Sequence, residues 1–63
     1  MNELMRIACD KAHNEGLDAR IQRLLPVHNP YDYDTLPGEA WLRALAVVRR
    51  GDGFVDLRTG HTY

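Results

Sequence analysis

A single cysteine, Cys9, leaves this sequence without an intramolecular disulfide. The small secreted folds that depend on several disulfides are excluded, and a reducing, cytoplasmic setting is the expectation. No charge of one sign predominates either: eight Lys and Arg against nine Asp and Glu give a formal net charge of −1. A global positive field that would hold phosphate backbones without specificity is missing. Glu3, Arg6 and Asp10 interrupt the N-terminal stretch before an apolar run develops, which is not the pattern of a signal peptide. No apolar run approaches the ~18 residues of a membrane span, so no membrane partner is expected. Phosphate-cradling glycine motifs, internal repeats and low-complexity tracts are also lacking. What remains is 63 residues, 44% apolar and 27% charged, the balance of an ordinary globular chain. At that length one domain, 1–63, is expected, burying about 60% of its unfolded surface around a core a few side chains deep.

The first third is helical in pattern. Leu4, Met5, Ala8 and Ala12 form one apolar stripe, and Leu17, Ile21, Leu24 and Leu25 form a second that points roughly the opposite way. Asn2 is placed to cap the first turn, with Glu3 near the positive end of the dipole. The phase jump at Gly16 has two explanations. The helix breaks there, with Asp18 capping a new one, or a single helix over 1–25 packs different neighbours at its two ends, with Gly16 kept for close approach. The continuous or kinked helix is preferred, Pro26 stopping it. The mismatch also leaves open a homodimer that covers one end.

Residues 26–36 read as a loop carrying the acidic-aromatic stretch HNPYDYD. Pro37 suits a helix start, and a second helix is expected over 37–50, with Trp41, Leu45 and Val48 on its apolar face and Arg49-Arg50-Gly51 closing it. The tail, 51–63, changes to period two, and Thr59-Gly60 suits a tight turn, so a short hairpin is expected. The fold class is therefore mainly α, small α+β: two packed helices joined by a Pro-Tyr loop, with a short C-terminal β-hairpin.

Chemistry is sparsely signposted. Cys9 and His13 stand one helical turn apart, but two ligands do not make a zinc site, and no metal or other cofactor is expected. As a catalytic dyad the same pair lacks a cleft and a third group to orient the base. Asp32, Asp34 and Glu39 would need a dry pocket to divide acid and base roles, and a solvated acidic loop is the simpler reading. No catalytic residue is assigned and the chain is not expected to be an enzyme. Seven of the eight cations are arginine. Arg20, Arg23, Arg43, Arg49 and Arg50 are the candidates for an RNA contact, or else form a charged solvent face. Tyr31 and Tyr33, with Asp32 and Asp34, are the candidates for a protein contact, or one tyrosine closes the core as a lid over Trp41.

The segments KAHNEGLDARI, NPYD and EAWLRAL together resemble the ribosome modulation factor family and the wider superfamily that includes small ciprofloxacin-resistance-type proteins. The matching positions are Ala12, His13, Gly16, Ala19, Ile21, Pro30, Tyr31, Trp41 and Ala44, spanning roughly residues 8 to 48. The resemblance implies a two-helix protein that binds the small ribosomal subunit and promotes inactive ribosome pairs in stationary phase. It also implies that Pro30 and Tyr31 form a hinge packed on Trp41. Ribosome-binding members are strongly basic and this chain is not. A second class therefore stays open: a phage- or mobile-element-type inhibitor, anti-CRISPR-like, that binds a host protein machine through the acidic-aromatic loop.

Overall fold

The computed structural model describes residues 2–63; Met1, where the expected first helix begins, lies outside the described residues. Helix α1 spans Glu3–Ile21, and Asn2 caps it by accepting from the Met5 amide at 2.7 Å. It runs unbroken through Gly16. The face it buries continues the first stripe, through half-buried Met5 and Ala8 and buried Ala12, to Gly16 and Ala19, while Leu4 of that stripe and Ile21 of the second are 79% and 80% exposed. Size explains the correction. A side chain on Gly16 would begin 2.6 Å from both the Ala44 methyl and the Trp41 carbonyl. The partner helix comes so near that only the smallest residues of α1 fit beneath it.

That partner, α2, spans Leu36–Ala44, with Thr35 as its cap: the Gly38 amide donates to Thr35 Oγ1 at 3.2 Å. Trp41, Leu42 and Leu45 join Ala12, Ala19 and Val47 in the core, and the molecule is only 17 Å across its thinnest direction. A large aromatic buried at 2% exposure supplies much of so thin a core.

Both helices end earlier than expected, by one device. At the end of α1, Gln22 caps, Arg23 turns into left-handed backbone at φ 60°, and its amide donates to the Arg20 carbonyl at 3.1 Å. The Leu24 amide then reaches the Ala19 carbonyl at 2.9 Å, completing a Schellman motif. This stop comes before Pro26, which instead opens a single 3-10 turn, Pro26–His28. At the end of α2, Ala46 takes φ 61°. The chain leaves the helix there, and residues expected to continue it form strand β1, Val47–Arg50. Two adjacent β-branched valines suit a pleated ribbon better than another helical turn. Val48, expected on the helical stripe, is thus a half-buried strand residue.

Strand β2, Gly53–Asp56, pairs antiparallel with β1, Val47 facing Asp56 and Arg50 facing Gly53. The hairpin therefore turns at Gly51-Asp52 and begins before residue 51. The expected turn at Thr59-Gly60 also exists, since the chain returns to β2 through the Val55–Thr62 bridge. The fold is a small α+β arrangement of two packed helices and a C-terminal hairpin.

Three substitutions test this packing by urea unfolding. Trp41→Ala should cost about 3–5 kcal/mol. Gly16→Ala should cost about 1–3 kcal/mol by overpacking, although alanine is the better helix former by about 1 kcal/mol. Ala46→Gly should leave stability unchanged or raise it by up to about 1 kcal/mol, because glycine adopts left-handed backbone without a Cβ penalty. A clear loss in Ala46→Gly would contradict the helix stop described above.

Candidate nucleic-acid interface

The Schellman turn carries Arg23 past the end of α1, one turn beyond Arg20. Arg58 arrives from the opposite side, just after β2. These three arginines border a groove of about 450 Å³ between the end of α1 and the hairpin, with Leu24, Pro26, Leu45 and Val47 among its lining and Tyr63 at one wall. Among the described residues neither Arg20 nor Arg23 forms an ion pair. Asp56, at 6% exposure, is the one side-chain carboxylate of the lining. It accepts from the Arg58 amide at 2.8 Å, and Arg58 Nε lies 3.6 Å from its Oδ1. That amide, then the guanidinium, hold the Asp56 carboxyl below the usual carboxylate range against the opposing effect of burial. Three guanidiniums face one side-chain carboxylate in this lining, on a chain of net charge −1.

The other candidate arginines lie elsewhere. Arg43 is paired with Glu39 at 2.6 Å. Arg49 is paired with Asp34 and lies 4.4 Å above the centre of the Tyr33 ring, which meets Phe54 edge-on at 5.8 Å. Arg43, Arg49, Tyr33 and Asp34 share a second groove of about 320 Å³. Arg50 is exposed at the hairpin turn and has no ion-pair partner among the described residues. The five arginines therefore do not form one patch.

The acidic-aromatic loop is largely committed to holding itself. Tyr31 packs against the core cluster that contains Trp41, and its hydroxyl donates to Glu15 Oε2 at 2.5 Å, a bond that pushes the phenol pKa up. Pro30 beside it is exposed. Asp32 Oδ1 accepts from the Asp34 amide at 3.0 Å, and the Asp32 carbonyl accepts from Thr35 Oγ1 at 2.5 Å. Asn29 fastens the loop down by donating to the Gly38 carbonyl at 3.1 Å. Gly38 has to be glycine, because a Cβ there would fall 1.9 Å from the Asp32 carbonyl oxygen.

Cys9 and His13 border a shallow depression with Asp10 and Glu39, and among the described residues no group of three or more His, Cys, Asp or Glu is placed to hold a metal ion. Among the described residues no helix is long and apolar enough to cross a membrane. Sequence reasoning did not single out Arg58, Asp56 or Tyr63. The available signal was an aspartate and an arginine two apart on a period-two segment, hence on one side of it. The chain matches no protein-family model, no curated protein and no solved structure.

The Asp56 geometry predicts a pH dependence. A carboxylate whose folded pKa is depressed contributes stability that is fully present above its unfolded pKa of about 3.9 and is lost as pH falls through the lower folded value. Urea midpoints should therefore fall on acidification below about pH 4, and Asp56→Asn should show a shallower fall. Parallel acid limbs in the two proteins would rule out this role for Asp56.

Proposed function

We propose that the chain is a small non-enzymatic binding module that docks on structured RNA, ribosomal RNA being the first candidate, and so modulates translation. One observation carries the reading: Arg20 and Arg23, free of ion pairs among the described residues, share a locally positive groove with Arg58. Arginine's planar fork suits phosphate oxygens, and unpaired guanidiniums bind them without first breaking an internal bond. The family resemblance in three separated segments points the same way. The thin, single-layered core also supports binding over catalysis, since its grooves are open and catalysis needs a dry, enclosed site.

The alternative, an inhibitor that engages a host protein machine through the acidic-aromatic loop, has one observation in its favour. Tyr33 is 43% exposed and offers an aromatic anchor, with Arg49 over its ring and paired to the neighbouring Asp34. Tyr31 and Asp32 are less available for that role, being bonded to Glu15 and to the loop's own turn.

Sedimentation of lysate at low salt tests the choice. The protein should travel with ribosomal subunits, and affinity for ribosomal RNA should fall with salt at a slope of about −0.7 to −0.9 per phosphate contacted. Arg20→Gln should lessen that slope by about one such unit, while Tyr33→Ala changes little. A protein that never travels with subunits, and whose partner is lost on Tyr33→Ala, would put the inhibitor reading first.

A further inference from the structure

We propose that the groove between the end of α1 and the hairpin seats a single unstacked nucleotide, with Arg20, Arg23 and Arg58 on its phosphate and the base on the apolar floor against Tyr63. This rests on the RNA reading above and sharpens it, because the unit recognised becomes one splayed nucleotide instead of a duplex backbone.

Duplex backbone docking calls for positive charge and polar contacts, and gains nothing from an apolar floor. Here the arginines stand around one, with Leu24, Pro26, Leu45 and Val47 among its lining. The volume of about 450 Å³ lies in the range of small-molecule sites. Tyr63 is anchored through its backbone, its amide donating to the Phe54 carbonyl at 2.8 Å, and its ring meets the His61 ring edge-on at 4.6 Å while the residue stays 46% exposed. An exposed aromatic on a fixed backbone is what base stacking uses, and guanidinium planes add further stacking faces. The ion pair of Arg58 Nε with Asp56 Oδ1 at 3.6 Å limits the rotamers open to that guanidinium.

Arg23 reaches the groove from the helix stop. Left-handed backbone at φ 60° is where glycine is unstrained and other residues are not. A helix stop alone would be served better by glycine. The chain instead keeps an arginine at that position, and Arg23 is part of the groove's lining. An acyl chain with a carboxylate would also match charge and floor, but would have no use for an exposed ring.

The test is a titration of the intact chain with adenosine monophosphate, ribose phosphate and a fatty-acid anion, followed by amide NMR shifts. Adenosine monophosphate should bind roughly tenfold more tightly than ribose phosphate, the increment that base stacking supplies, with shifts centred on Arg23, Leu24, Arg58 and Tyr63. Tyr63→Leu should abolish that difference and leave ribose phosphate binding unchanged. Arg23→Gly should weaken both phosphates while the protein remains folded, since glycine suits the backbone there. Equal binding of the two phosphates, tighter binding of the fatty acid, or shifts centred on Tyr33 and Arg43 would overturn the nucleotide seat. If subunits still co-sediment in that case, the RNA reading survives without the seat. Tight, Tyr63-dependent nucleotide binding without RNA binding would keep the seat and remove the RNA reading.

Discussion

Everything in this fold hangs on how near α2 comes to α1. The helices meet where Gly16 faces the Trp41 carbonyl and the Ala44 methyl, with no room for a single additional carbon. Because the contact is made by backbone and small side chains, a thin core can still be close-packed, which is the condition for dispersion to contribute fully. It also fixes where the chain must go next. With α2 seated on the Ala12-Gly16-Ala19 face, its end arrives beside the end of α1, and the hairpin that follows closes the groove between them.

The sequence conveyed the two helices, the Asn2 cap, the loop and the presence of a hairpin, each through a local signal with a local cause. It misled wherever bulk was taken as the guide to burial. The first stripe on α1 does mark the packing face, but through its small members Ala8 and Ala12, continued by Gly16 and Ala19, while the bulky Leu4, Leu17, Ile21 and Leu25 remain exposed. The helix ends were hidden for a different reason. Glycine and proline are the residues that announce a stop, and here Arg23 and Ala46 occupy the left-handed positions. Valine 47 and its neighbour then switch to strand on the strength of β-branching and pairing with β2, a preference that a helical window centred on Trp41 averages away.

The candidate residues were legible as types but not as a constellation. Seven arginines in one short chain stand out, but whether each is free or neutralised depends on contacts far apart in sequence, such as Arg49 with Asp34 or Arg43 with Glu39. The structure sorts them into engaged and unengaged groups. The same holds for the loop: the side chains of Tyr31, Asp32 and Asp34 read as a displayed surface until Glu15, the Asp34 amide and Arg49 are seen to occupy them. Spatial partnership, unlike propensity, leaves almost no trace in local pattern.

Strand β2 is paired on both sides, by β1 and by the returning segment at Thr62, so β1 forms a margin of this ribbon. A margin presents backbone groups that another chain's strand can pair with, the usual route to runaway association. Here that margin ends in two consecutive arginines, Arg49 and Arg50, one clasped by the loop through Asp34 and the other open to solvent. Charge at that place penalises an incoming strand, so the arginines of β1 act as gatekeepers of solubility, whatever the rest of the surface recognises.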